Sequence, residues 1–182
     1  MRIGDYLIQS WRFQLARRWI PLGSRVLDIG CHQGEFLKML GQKISPSVGI
    51  DPLYHGNATS YGHQFLSQEF QEPLPFEDAS FDVVVLLATI EHMQEKSAVA
   101  SEAKRLLRTD GLVIITTPSL YVDQILSFLL LIGLVDGMSL EEHHGFSPDD
   151  LPAIFTSKGF RLKTRLKFQL GLNNLYIFER TQ

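Results

Sequence analysis

Short apolar runs alternate along this chain with stretches in which apolar residues recur every three or four positions. Val26, Leu27 and Ile29 form the first run, and Phe36, Leu37 and Leu40 follow at helical spacing. Val48 to Ile50 is a second short run, and Gln64 to Ser67 a weaker third. Phe81 opens the clearest one: Val83 to Leu87 are five apolar residues in a row, as in a strand buried on both faces, with residues 88–90 carrying it to Glu91 and His92. Val99, Ala103, Leu106 and Leu107 then share a helical face within 95–108, which Thr109-Asp110-Gly111 closes before a strand at Leu112 to Ile115. Strands alternating with helices predict parallel β-α-β units, in which ligands sit over the carboxyl ends of the strands. Asp28, Asp51, Glu91 and Thr117 are expected on that rim.

The flanks differ from this core pattern. Residues 5–19 place Leu7, Trp11, Leu15 and Trp19 four apart, predicting an N-terminal helix within 1–20 that packs on the sheet or the ligand pocket. Residues 119–146 contain the apolar run Ile125 to Val135. At eleven residues it is well short of the roughly twenty that span a bilayer, so a lid, acceptor-pocket or interface segment is expected, and no stable membrane insertion. Ser147 and Pro148 start a helix running to about Lys158. Phe160, Leu162, Leu166 and Phe168 then alternate with Arg161, Lys163, Arg165 and Lys167, and Leu175 to Phe178 returns as a partner strand, predicting a closing hairpin.

Composition narrows the class. A chain of 182 residues, 45% hydrophobic, supports one domain over 1–182 with a sizeable core. A net charge of -3 gives no electrostatic reason to expect nucleic acid. The single cysteine, Cys31, excludes an internal disulfide, and Arg12, Arg17 and Arg18 interrupt any secretory leader, so a cytoplasmic location is expected.

The chemistry is concentrated in Arg25 to Phe36. Gly30 and Gly34 bracket a turn that leaves a strand and enters a helix within about five residues, where the chain needs positions without a Cβ clash. Asp28 is a carboxylate in an apolar strand, costly unless paired or held for a cationic ligand. Asp51 ends the second strand about twenty residues past the turn, where a carboxylate accepts hydrogen bonds from the vicinal hydroxyls of a ribose.

Together these motifs resemble class I S-adenosylmethionine-dependent methyltransferases, over about Arg25 to Phe178. The glycine loop Val26-Leu-Asp-Ile-Gly-Cys-x-x-Gly34, the acid of Gly49-Ile-Asp51, the stretch Glu69 to Phe76 followed by Ser80-Phe-Asp82, the pair Glu91-His92, Leu106-Leu-Arg-x-x-Gly111 and Gly159-Phe160 carry the resemblance in order and spacing. It implies an α/β, Rossmann-like doubly wound fold: a mostly parallel seven-stranded sheet with a C-terminal antiparallel hairpin. S-adenosylmethionine is the implied cofactor. By resemblance, Gly30 and Gly34 admit it closely, with Cys31 and His32 in the same loop. Asp28 reaches its amino-acid end, Asp51 takes the ribose, Pro52 and Leu53 flank the adenine, and Glu69 and Phe70 meet its amino edge. Where the family commonly has a third glycine, this chain has His32.

Methyl transfer from a sulfonium needs an acceptor held in line more than a fixed triad. For a hydroxyl acceptor a base helps, and His92, His143 and His144 are the candidates. Glu141 to His144 lack the spacing of a metal site, and none is expected. The predicted activity is methylation of a small-molecule acceptor with an apolar part. The alternative is an inactive methyltransferase-fold subunit that binds a partner, with a homodimer through 125–135 as one form. A nicotinamide enzyme is a weaker third reading, because Gly-x-x-x-Gly replaces the usual Gly-x-Gly-x-x-Gly.

Overall fold

In the computed structural model, residues 3–119 and 147–182 are described. Helix α1 (Ile3–Ala16) is followed by β1 (Val26–Ile29), α2 (Glu35–Leu40), β2 (Val48–Ile50), β3 (Thr59–Ser60), β4 (His63–Leu66), β5 (Phe81–Leu87), α3 (Lys96–Leu106), β6 (Leu107–Pro118), α4 (Leu151–Ser157), β7 (Phe160–Phe168) and β8 (Asn173–Arg180). The strands form one sheet in the order β3-β4-β2-β1-β5-β6-β8-β7. β4, β2, β1, β5 and β6 run parallel, and β8 and β7 close the edge antiparallel. The expected seven strands are all present. The eighth, β3, is a two-residue edge strand paired antiparallel to β4, too short to leave a periodic pattern in the sequence.

The apolar runs are buried because both sheet faces are covered. One face carries Leu27, Ile29, Leu86 and Ile115 against Val99, Leu106 and Phe155. The other carries Val26, Val85 and Ile177 against Phe36, Leu37 and Ala16. Residues of one strand alternate between the two cores, as a period of two requires. Phe155 stacks on Phe178 with ring centroids 4.6 Å apart, seating α4 on the hairpin.

Four features differ from expectation. β5 stops at Leu87, because Ala88 turns to φ 57° and residues 90–92 form a 3₁₀ turn, so Glu91 and His92 stand beyond the strand rather than at its tip. α3 ends at Leu106 and β6 begins at the next residue. Thr109-Asp110-Gly111 therefore lies inside that strand, at a register shift opposite Phe81 to Val83, instead of closing the helix. In α1 the stripe divides: Leu15 and Trp19 pack on the core, while Leu7 and Trp11 are exposed. Phe13 takes their place, its ring centroid 5.1 Å from that of Phe36. Along β7, Leu166 is exposed, beyond a register shift between Leu162 and Thr164 that breaks the alternation. The segment 119–146, apart from Ser119, lies outside the described residues, and so do His143 and His144.

Candidate active site

A cavity of about 880 Å³ opens over the carboxyl ends of β1, β2 and β5. That is the size of a small-molecule or cofactor site. Its walls come from α1 (Gln9, Arg12), the β1 turn (Gly30, His32), the β2 tip (Asp51, Pro52, Leu53), the 68–72 segment and the region from Leu87 to Val99.

The β1 turn is shaped by two left-handed glycines. Gly30 has φ 77°, and a Cβ there would lie 2.3 Å from Thr89 Oγ1 and Cγ2. Gly34 has φ 76°, and its Cβ would meet the Phe65 ring at 2.4 Å. Close packing of the turn on Thr89 after β5 and on Phe65 of β4 thus requires glycine. The backbone N–H groups of Gly30 and Cys31 both donate to Ile50 O (2.9 and 3.2 Å), tying the turn to β2.

Asp51 receives two backbone hydrogen bonds: the N–H of His32 donates to Oδ2 and that of Leu53 to Oδ1, each at 2.8 Å. Its carboxylate is therefore oriented, with a second acceptor site left on each oxygen for a ligand's hydroxyls. His32 sits at φ 49°, the left-handed region where the family commonly has glycine. Its ring Nδ1 lies 2.9 Å from Glu35 Oε1, and the side chain is 61% exposed. The ring leans on the start of α2 rather than being buried.

Asp28 is different. It is 2% exposed, and Oδ2 has no hydrogen-bond partner. Burial pushes its carboxyl up to about 8, with the charges of Glu35 and Asp51 adding in the same direction. Such a group is suited to a cation placed above it. Cys31 is buried, its Sγ facing the position a Gly49 side chain would occupy. Burial and the neighbouring carboxylates push its thiol up, so it is no nucleophile.

Of the residues expected to meet a cofactor, Gly30, His32, Asp51, Pro52, Leu53, Glu69 and Phe70 line the cavity. Asp28, Cys31 and Gly34 stand behind that wall. His92 also lines it. Sequence reasoning missed Gln9, Arg12, Thr89, Met93 and Val99 as wall residues. Arg12 carries the one signal among them, a cation beside Trp11 and Phe13 on the helix expected to pack on the sheet or the pocket.

The 68–72 wall is anchored from behind. Glu102, 4% exposed, accepts the Leu74 N–H at 2.7 Å and pairs with Arg105 at 2.6 Å. Arg105 also donates to Leu74 O, Phe76 O and Asp78. These bonds raise the Arg105 pKa above its usual value, chiefly through Glu102 and then Asp78.

A methyltransferase domain model matches residues 3–164. The chain belongs to the methyltransferase domain family. S-adenosylmethionine is the cofactor this family implies, and the site suits it: an orphaned buried carboxylate oxygen, a turn that side chains would fill, and an oriented acceptor at the β2 tip. A ubiquinone biosynthesis O-methyltransferase from Pseudomonas aeruginosa is 26% identical over 157 residues, 78% of this chain and 66% of that protein. The chain spans 42% to 66% of the length of the first curated relatives it matches. Among solved structures, a chain of the Haloferax volcanii complex between the Trm112 methyltransferase activator and a methyltransferase aligns with TM-score 0.75 at 15% identity, covering 98% of this chain and 93% of that one. An S-adenosylmethionine-dependent methyltransferase from Aquifex aeolicus aligns with TM-score 0.66 at 16% identity, covering 92% and 88%. At these identities the structural matches concern the fold. Among the described residues, no helix is long and apolar enough to cross a membrane, and no cluster of His, Cys, Asp or Glu could hold a metal.

Proposed function

We propose that this methyltransferase acts on a small-molecule acceptor carrying an apolar part. The observation behind this reading is the apolar share of the cavity lining. Leu87, Met93, Ala98 and Val99 stand among polar neighbours that include Gln9, Arg12, His92, Gln94 and Glu95, within a volume that suits a cofactor and a small partner. The O-methyltransferase relative agrees with it.

When bound, S-adenosylmethionine supplies an electrophilic methyl group on a sulfonium. The protein's own part is positional. Asp51 is assigned to the ribose hydroxyls, its orientation preset by the His32 and Leu53 N–H groups. Asp28, buried behind the cavity wall, is assigned to the cationic amino-acid end, Pro52 and Leu53 to the flanks of the adenine, and Glu69 and Phe70 to its edge. α1 forms the outer wall that excludes water beside the acceptor. Calorimetric titration with S-adenosylmethionine and S-adenosylhomocysteine, followed by an acceptor screen with radiolabelled methyl donor, tests this reading. Cofactor binding with transfer to a small apolar acceptor supports it, and absence of binding at millimolar ligand overturns it.

The second reading, a subunit that binds a partner, is favoured by two observations: Tyr6, Leu7 and Trp11 expose 62%, 61% and 53% of their surface on α1, and one structural neighbour comes from a complex with an activator protein. Stable association with a partner and no turnover on any acceptor would select it.

A further inference from the structure

Leu53, assigned above to one flank of the adenine, lines the cavity and is 62% exposed. Burial therefore does little to fix it, and the groups that hold this wall in place are polar. Its N–H donates to Asp51 Oδ1 at 2.8 Å, and its carbonyl accepts the side-chain amide N–H of Gln33 at 2.9 Å. Gln33 lies twenty positions earlier in the chain, in the turn after β1. It directly follows His32, whose own N–H donates to the other Asp51 oxygen. These three hydrogen bonds and the His32–Gln33 peptide close a ring that joins the glycine turn, the acid at the β2 tip and the Leu53 wall.

The turn's own hydrogen bonds do not use the Gln33 side chain. The Gly34 N–H donates to Cys31 O at 2.8 Å, and the Gly30 and Cys31 N–H groups donate to Ile50 O. Both backbone groups of Gln33 are fixed from α2: its N–H donates to Glu35 Oε2 at 3.1 Å, and its carbonyl accepts Lys38 Nζ at 2.5 Å. Gln33 is thus a braced post from which only the amide reaches across to the β2 tip. On the other side of Leu53, Pro52 O accepts Ser67 Oγ at the longer distance of 3.3 Å. Ordering a long glutamine side chain costs entropy that one half-exposed hydrogen bond barely returns. The gain lies in what the bond preorganises, because a ligand that meets Leu53 already in place need not order it on binding.

Resting on the placement of the adenosine half given under the proposed function, we propose that Gln33 is a positioning residue for the cofactor. It does not line the cavity, and it acts through Leu53, holding that wall at the distance from Asp51 at which ribose and adenine are taken together. A carbonyl can only accept a hydrogen bond, so the role needs a donor at position 33 with the reach of glutamine. The effect is confined to the adenosine half. The amino-acid end, assigned to Asp28 within β1, does not depend on Gln33.

The test is calorimetric binding of two ligands to the full chain: S-adenosylhomocysteine, and 5′-methylthioadenosine, which has the adenosine half and no amino-acid end. Gln33→Ala should weaken both by the same factor, about fivefold, the scale of one net hydrogen bond. Gln33→Glu, similar in shape but without a donor, should lose at least as much. Gln33→Lys, which keeps a donor of similar reach, should recover most of the affinity. The thermal midpoint of each ligand-free variant should stay within about 3 °C of wild type, so that lost affinity is not lost fold. Leu53→Ala checks the placement of the adenine and should weaken both ligands. Gln33→Ala with wild-type affinity for both ligands, or with a loss for S-adenosylhomocysteine that 5′-methylthioadenosine does not share, overturns the role of Gln33. If Leu53→Ala leaves 5′-methylthioadenosine binding unchanged, the placement of the adenine falls and the proposal with it. Failure of S-adenosylhomocysteine to bind the wild type would overturn the methyl-transfer reading itself.

Discussion

The backbone N–H of His32 donates to the carboxylate of Asp51 at 2.8 Å, so the turn after β1 and the acid at the tip of β2 are one hydrogen-bonded unit. Asp51→Ala removes a ligand for the ribose and also frees the turn. The expected result is at least a tenfold loss of S-adenosylmethionine affinity, about 1.4 kcal/mol or more. Asp51→Asn keeps an acceptor for one of the two N–H groups and should lose less. Calorimetry on the two variants checks the order, and equal losses would mean that the carboxylate's charge is all that matters.

His32→Gly should change little. The ring is largely exposed and leans on Glu35, while the left-handed backbone suits glycine, which offsets the extra entropy of the unfolded chain. Cofactor affinity within about threefold of wild type and stability within about 1 kcal/mol are expected. A large gain in affinity would show the ring to be an obstruction; a large loss would show it to be a ligand contact.

Gly30→Ala, in contrast, should cost about 1–3 kcal/mol of stability, because the added Cβ meets buried Thr89 at 2.3 Å. Thr89→Gly in the same chain should restore part of that loss. Urea unfolding of the two singles and the double gives the coupling directly. Simple additivity would contradict the contact.

Asp28 makes stability depend on pH. Its carboxyl, raised to about 8 from an ordinary value near ~3.9, keeps a proton in the folded state that the unfolded chain releases. Stability should therefore be highest below about pH 4 as far as this group is concerned, and fall as pH rises towards 8. Glu91, raised to about 7, contributes with the same sign, so Asp28→Asn should flatten the slope only in part. A cationic cofactor end near Asp28 would expel its proton, so binding at neutral pH should release a proton. Calorimetry in two buffers of different ionisation enthalpy measures this release, and Asp28→Asn should abolish it.

Glu102 and Arg105 hold the segment behind Glu69 and Phe70. Arg105→Leu leaves Glu102 buried with one partner fewer. The loss should reach about 2 kcal/mol, less than for a fully buried pair because Arg105 is partly exposed. Thermal unfolding should show the loss, and cofactor affinity should fall with it if the 68–72 wall depends on this anchor.

The β strands and the glycine turn were legible because each is written locally: five consecutive apolar residues at Val83 to Leu87, or two glycines around three turn residues. β3 was not, having only two residues. The start of β6 was hidden because Thr109-Asp110-Gly111 looks like a helix stop, while pairing with β5 overrides that local signal. On α1 the four-residue spacing of Leu7, Trp11, Leu15 and Trp19 suggested one buried stripe, yet only its second half meets the core.

The sequence alone thus determined the order of strands and helices, the close approach at Gly30 and the acid at Asp51, since backbone sterics and side-chain period are properties of short segments. Only the tertiary structure decided that Asp28 keeps an unpartnered oxygen, that Thr89 closes on Gly30, and that Arg12 of the N-terminal helix comes to line the same cavity as His92. Those relationships depend on where burial removes water and on which elements the sheet brings together, and neither is encoded within any one stretch of the chain.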